Sequence, residues 1–241
     1  MGFAMIWVVS YHYQFEGLLA YPLGNGFTGV DLFMFVSGFG LFYSMSRDND
    51  VLHFYKKRLL RIIPLYYLIG LIYELISGEF NFWQYLWKYS TLGFWTDSTY
   101  GFGWFIPSIF AIYAFYPFLH RTIFYKGYDK WVIVVLMPFV LFFIVYNMVD
   151  VTLMPTSHYC LLYRLPVFIL GVITAYWTQR GYSSKVFLII SLVLLPMFVI
   201  HFMGDSIRLR YLSTTFAVPF IIVLLCRIFK KINMLSAVGG G

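Results

Sequence analysis

The chain alternates long apolar stretches with short polar connections. Most of these stretches have about the 20 residues that an α-helix needs to cross the hydrocarbon core of a bilayer. They predict eight transmembrane helices: Gly2–Tyr21, Phe27–Ser46, Leu59–Ser77, Phe102–Phe124, Trp131–Met148, His158–Thr178, Val186–Met203 and Tyr211–Phe229. The aromatic stretch Phe80–Tyr100, broken by Gly93, predicts an interfacial or re-entrant segment instead. We therefore expect an all-α, polytopic transmembrane bundle, with residues 1–241 forming a single domain.

The composition excludes an ordinary soluble domain. Hydrophobic residues make up 61% of the chain and charged residues only 11%, whereas a soluble domain carries about 25% charged residues. The two cysteines, Cys160 and Cys226, lie within apolar runs and imply neither a redox site nor a metal site. The net charge of +7 does not require nucleic acid as a partner, because the basic residues stand at the ends of apolar runs.

Lys and Arg residues are distributed unevenly among the connections. Most of the 17 basic residues follow the second, fourth, sixth and eighth spans. The positive-inside rule therefore places these connections and the N-terminus in the cytoplasm. The first span lacks the basic flank and the cleavage site of a signal peptide. Because a span begins at once and Met234–Gly241 resembles the approach to a further helix, we expect the chain to be truncated at both ends.

Ionisable residues within spans are costly in lipid and are therefore functional candidates. With this orientation His12, Asp31 and Arg164 lie in the outer half of the membrane, where they can line one cavity. A neutral imidazole at His12 is suited to act as a general base. Asp31 would fix the imidazole tautomer and Arg164 would stabilise an oxyanion, which together support acyl transfer to a hydroxyl. The alternative is that each is a hydrogen-bonded packing residue.

Two further carboxylates, Glu16 and Glu74, also lie within predicted spans. Glu16 lies one helical turn after His12 and is an alternative orienting group, although a hydrated position near the outer mouth explains it more simply. Glu74 is expected to be hydrated at the outer end of the third span.

A basic cluster precedes the third span on the cytoplasmic side. It contains Lys56, Lys57, Arg58 and Arg61. In a helix Arg58 and Arg61 point the same way and present two guanidinium groups suited to phosphate. A nucleotide-bearing donor such as acetyl-CoA carries such phosphates. Positive-inside anchoring with snorkelling side chains explains the cluster equally well.

Five segments carry motifs: VVSYH at 8–12, GVDLFMFVSG at 29–38, RLLRIIP at 58–64, WFIP at 104–107 followed by Tyr113 and Pro117, and RLPVFILG at 164–171. Each resembles a motif of the membrane-bound acyltransferase-3 family, which includes bacterial O-acetyltransferases of surface polysaccharides, and the five occur in the family's order. The resemblance covers most of the chain.

The resemblance implies about ten spans, an acyl-CoA co-substrate approached from the cytoplasm, and an acceptor hydroxyl on the outer side. It implies donor binding by Arg58 and Arg61, and transfer at His12 and Asp31. Three further motif positions are candidate substrate-binding residues: Ser37, Trp104 and Tyr113.

Three positions depart from the family pattern. Met1 stands where the family usually has an Arg eleven residues ahead of the His. Ile109 stands where many members have a Glu. Leu235–Gly241 resembles the start of the family's next helix, before which the chain stops.

The leading hypothesis is an O-acetyltransferase of the bacterial inner (plasma) membrane, without a bound cofactor. It would move acetyl from acetyl-CoA to a hydroxyl of a glycan or lipid-linked sugar, with membrane lipid as its surroundings. The alternatives are a glycan transporter or flippase, in which the same polar residues bind substrate without chemistry, and an inactive fragment. The sequence assigns neither the acceptor sugar nor the oligomeric state.

Overall fold

The computed structural model describes residues 2–13, 26–78, 80–96, 103–124 and 159–181, together with the single positions 214, 217, 218, 221 and 222. The ranges contain helices and no strand, which confirms the all-α prediction for this part of the chain. In chain order the helices are α1 (Gly2–Tyr11), α2 (Thr28–Arg47), α3 (Val51–Ser77), α4 (Phe82–Tyr89), α5 (Leu92–Thr96), α6 (Phe105–Phe124) and α7 (Tyr159–Gln179).

Three of these helices are long and apolar enough to cross a membrane: α2, α3 and the Cys160–Gln179 part of α7. They correspond to the predicted second, third and sixth spans. The fourth predicted span contains α6, a helix of 20 residues. Of the first predicted span, the structure describes a helix only as far as Tyr11. The fifth and seventh spans and most of the eighth lie outside the described residues, so eight crossings stay a prediction.

Helix α3 begins eight residues earlier than the sequence pattern predicted. The Asp50 side chain caps its N-terminus by accepting hydrogen bonds from the backbone N–H groups of Leu52 and His53, at 2.8 and 3.3 Å. Gly78, with φ of 74°, ends the helix in the left-handed region that favours glycine. Hydropathy missed the first two turns because they are polar, yet the capped helix includes them. Its 27 residues span about 40 Å.

The chain divides into two compact units. The first unit comprises Met1–Gly40, Val135–Tyr146 and Arg164–Gly241. The second unit comprises Leu41–Val134 and Asn147–Tyr163.

Glycines allow the helices of the first unit to approach closely. A Cβ atom on Gly29 of α2 would lie 2.6 Å from the Ala4 carbonyl oxygen of α1. A Cβ atom on Gly171 of α7 would overlap the Phe35 carbonyl oxygen of α2. Because lipid gives little hydrophobic drive for association between helices, such small-residue contacts are a main source of packing energy in membranes. These contacts bring α1 and α7 against α2.

Aromatic side chains fill the core of the second unit near the C-terminal end of α3. Tyr66, Tyr85 and Tyr89 form a buried cluster. The Tyr85 hydroxyl donates to the Tyr67 carbonyl oxygen at 2.7 Å. A Cβ atom on Gly70 would overlap the Tyr89 ring, so the glycine makes room for that ring. The cluster joins α4 to α3.

Glu74 is buried, which corrects the expectation of a hydrated carboxylate. Its Oε1 atom accepts hydrogen bonds from the Lys88 ammonium at 2.7 Å and from the Tyr89 hydroxyl at 3.3 Å. Burial, reinforced by the Glu74 carboxylate, raises the pKa of the Tyr89 phenol above its usual range, so this hydroxyl stays a donor. Glu74 is enclosed because α4 packs across the end of α3, a contact that the hydropathy of α3 alone does not show.

The aromatic segment expected at the membrane interface forms two short helices, α4 and α5. The Asn81 side chain caps α4 by accepting from the N–H groups of Trp83 and Gln84, each at 3.1 Å. Trp83 is 76% exposed and Phe82 is 54% exposed. Large exposed aromatic groups on a short helix are typical of a membrane interface. The position of this segment at the interface stays a prediction.

Two alanine substitutions, one at a close helix contact and one at an open helix position, test the packing role of the glycines. Gly171→Ala should lower the free energy of unfolding by about 1–3 kcal/mol, because its methyl group would overlap a backbone carbonyl that cannot shift alone. Gly40→Ala should be neutral or stabilise by up to about 1 kcal/mol, since alanine favours helix and nothing lies within 4 Å of that Cβ position. Thermal unfolding in one detergent compares them. Equal midpoints for the two variants would contradict the packing argument.

Candidate active site

Asp31 lies in the first turn of α2 and is only 2% exposed. The positive end of the helix dipole favours its carboxylate there. Its main partner is Arg164 of α7, which is 3% exposed. The Arg164 Nη1 atom donates to Asp31 Oδ1 and forms a buried ion pair within the first unit.

The backbone of α2 adds a second contact to this arginine. Nη1 of Arg164 lies 3.4 Å from the Phe27 carbonyl oxygen, immediately before α2. Asp31 Oδ2 is buried and has no hydrogen-bond partner among the residues that the structure describes. Among the described residues, one oxygen of the Asp31 carboxylate is therefore paired with Arg164 and the other is open as an acceptor.

His12 follows the last residue of α1 and is exposed. Its Nδ1 atom lies 2.9 Å from the Val8 carbonyl oxygen. Because a carbonyl oxygen only accepts, Nδ1 carries the proton, and in the neutral ring the lone pair is on Nε2. The ring also makes an edge contact with Tyr11, with centroids 5.3 Å apart.

His12 and Asp31 are both described in the structure, and the hydrogen bond expected between them is not present. Gly26 packs beside Trp7 and Tyr11 of α1, and Asp31 lies more than one helical turn further along the chain. Asp31 pairs with Arg164 instead. The Phe27 ring lies 6.3 Å from the Tyr11 ring, and its carbonyl contacts Arg164, so Phe27 lies between the turn that carries His12 and the ion pair.

Ser37 lies on α2 six residues beyond Asp31, about 9 Å along the helix axis, and is partly buried. The next residue, Gly38, packs directly on the Phe168 carbonyl of α7. Ser37 is therefore near the contact between α2 and α7 in the first unit.

The remaining candidates belong to the second unit. Arg58 of α3 is partly buried and lies over the ring of Tyr113 of α6, with Cζ 6.0 Å from the ring centroid. Arg61, one turn later, is exposed. Trp104 stands just before α6, where its carbonyl accepts from the Ser108 hydroxyl at 2.7 Å. The structure thus brings Tyr113 to the candidate donor-binding arginine.

Three groups at these positions were not predicted from the sequence. The Val8 and Phe27 carbonyls leave no signal in the sequence, because every residue carries a backbone carbonyl. Phe54 is different: it lies one helical turn before Arg58, and its ring centroid is 5.8 Å from Arg58 Cζ. The i to i+4 spacing on one helix face was a usable signal.

The sequence profile of the acyltransferase-3 family, described as an acyltransferase domain, matches residues 2–239. The chain therefore belongs to this membrane-associated acyltransferase family. It is 30% identical over 217 residues to ORF330 of Acidianus two-tailed virus, which is named as an inferred acetyltransferase. The match covers 80% of this chain and 63% of the viral protein, so the chain spans less than two thirds of that relative's length. No solved structure matches the chain significantly.

The buried ion pair makes a prediction about stability. Asp31→Leu removes the counter-ion of a buried guanidinium and should lower the free energy of unfolding by about 3–5 kcal/mol. The double variant Asp31→Leu/Arg164→Met removes both charges and should recover most of the loss, because apolar side chains replace a buried pair at little cost. Thermal unfolding in detergent measures both. A double variant less stable than the single variant would rule out the ion pair as the cause.

Proposed function

We propose that the chain transfers an acyl group, in the first instance acetyl, from cytoplasmic acyl-CoA to a hydroxyl of an extracytoplasmic glycan or lipid-linked sugar. Membership of the acyltransferase family supports acyl transfer. The observation that carries the chemistry is the hydrogen bond between His12 Nδ1 and the Val8 carbonyl, because it leaves Nε2 as a base.

In this proposal His12 acts as the general base. Nε2 accepts the proton of the acceptor hydroxyl while the hydroxyl oxygen attacks the thioester carbonyl carbon. The carbon–sulfur bond then breaks, and the imidazolium returns the proton to the leaving thiolate. The Val8 carbonyl performs the orienting task that the sequence assigned to Asp31, since it fixes the tautomer and stabilises the imidazolium N–H.

The Asp31–Arg164 pair supplies the electrostatic part of the proposed site. The guanidinium would stabilise negative charge that develops on the thioester oxygen. Asp31 and the Phe27 carbonyl hold the guanidinium in place, so that little reorganisation is needed during the reaction. Both charges are buried, where electrostatic interactions are stronger than in water.

Donor binding is proposed for Arg58 and Arg61. They lie on successive turns of α3, and Arg61 is exposed. The distribution of basic residues supports a cytoplasmic position for this end of α3 and for the N-terminus. The proposed location is a plasma membrane, with the acceptor on the opposite side from the donor.

Substitution of His12 tests the catalytic proposal. His12→Ala should lower acceptor-dependent release of CoA thiol by about 100- to 10,000-fold, the usual contribution of a general base. The protein should still fold, because the His12 side chain is exposed and its contacts are local. The assay uses purified protein in proteoliposomes with acetyl-CoA inside and a glycan acceptor outside.

His53→Ala is the matched control. His53 is exposed and pairs with Asp48 at 2.7 Å, so its replacement removes a histidine outside the proposed site. Full activity in His12→Ala would exclude His12 as the base. Movement of the glycan across the membrane without consumption of acetyl-CoA would favour a transporter instead.

A further inference from the structure

The Arg58 guanidinium lies against two aromatic rings of the second unit. Its Cζ atom is 5.8 Å from the Phe54 ring centroid and 6.0 Å from the Tyr113 ring centroid. The two rings are nearly perpendicular to each other, at 81°, with centroids 6.3 Å apart. A flat guanidinium is well suited to such surfaces, because cation–π contact stabilises its face and leaves its N–H edge for hydrogen bonds.

The surrounding packing fixes these rings. Phe54 is 4% exposed and stacks on Tyr116, with centroids 6.3 Å apart and an angle of 24° between the rings. Tyr113 is 9% exposed. The Tyr55 hydroxyl donates to the Ala114 carbonyl oxygen at 2.8 Å and joins α3 to α6 at the same level. The guanidinium therefore contacts buried, well-packed aromatic rings rather than exposed side chains.

Arg58 carries a positive charge and is only partly exposed. Within the described ranges no carboxylate lies at ion-pair distance from it. Its Nε atom is buried without a hydrogen-bond partner among the same residues. A buried donor without an acceptor costs free energy, and a guanidinium edge matches the paired oxygens of a phosphate. Within the part of the chain that the structure describes, Arg58 therefore has donor capacity that an oxyanion would match.

We propose that Phe54 and Tyr113 are positioning residues that hold the Arg58 guanidinium in place, so that its N–H groups receive a phosphate of the acyl-CoA donor. This inference rests on the proposed function. It assigns Tyr113 a role through Arg58, in place of the direct substrate contact expected from the sequence. Arg61 would attract the donor from solvent, whereas Arg58, held by the two rings, would orient it.

The test measures binding of CoA to the full chain in lipid nanodiscs. Tyr113→Leu and Phe54→Met remove one ring each and should weaken CoA binding by about 5- to 30-fold, as expected for a desolvated cation–π contact. Tyr113→Phe keeps the ring and should bind CoA within about twofold of wild type. In turnover assays the KM for acetyl-CoA should rise while kcat stays nearly constant, because the rings act on donor binding.

A double-mutant cycle separates positioning from general damage to the fold. In an Arg58→Gln background, Tyr113→Leu should cause no further loss of CoA binding, since the ring then has no guanidinium to orient. An equal loss in both backgrounds would overturn the inference. Pantetheine, which carries no phosphate, should bind wild type and Tyr113→Leu equally.

The possible outcomes also separate this inference from the proposed function. Wild-type protein that binds no CoA would contradict both. Wild-type binding that Tyr113→Leu leaves unchanged would overturn the positioning role alone. If co-purified phospholipid then falls in that variant, the oxyanion on Arg58 is a lipid headgroup and not the donor.

Discussion

A buried charged side chain needs an opposite charge or a full set of hydrogen bonds, and the Asp31–Arg164 pair meets this need in the first unit. The two residues are 133 positions apart in sequence, so the pair requires α2 and α7 to lie side by side. Gly38 and Gly171 permit that approach, because any side chain there would overlap a carbonyl of the facing helix. Ion pairing and small-residue packing therefore depend on each other.

The second unit satisfies the same constraint in other ways. The Glu74 carboxylate, buried beneath α4, is neutralised by Lys88 and receives a second hydrogen bond from Tyr89. Arg58 instead lies over two aromatic rings, which stabilise its charge, while its Nε atom has no hydrogen-bond partner among the described residues. The difference is functional in our proposal. In this proposal the Glu74 carboxylate needs no further partner, whereas the Arg58 guanidinium can still bind a ligand.

In the proposed mechanism, one local contact is sufficient to prepare His12 as a base. One hydrogen bond to the carbonyl of the preceding turn sets the tautomer, and the ring remains exposed. A buried carboxylate partner would make the same histidine harder to approach. In this proposal a local backbone contact orients the base, and Asp31 pairs with Arg164 instead.

Hydropathy alone indicated a membrane protein, the helical structure of the described ranges and the long apolar helices α2, α3 and α7, because lipid demands long apolar helices that satisfy their own backbone hydrogen bonds. The order of motifs determined the family. Residue types also identified Asp31, Arg164 and Arg58 as candidates, since charges within or beside spans are rare. Only tertiary structure decided their partners: Arg164 for Asp31, and two aromatic rings for Arg58. Partners depend on the rotation and depth of each helix, and a one-dimensional pattern of apolar residues leaves both undefined.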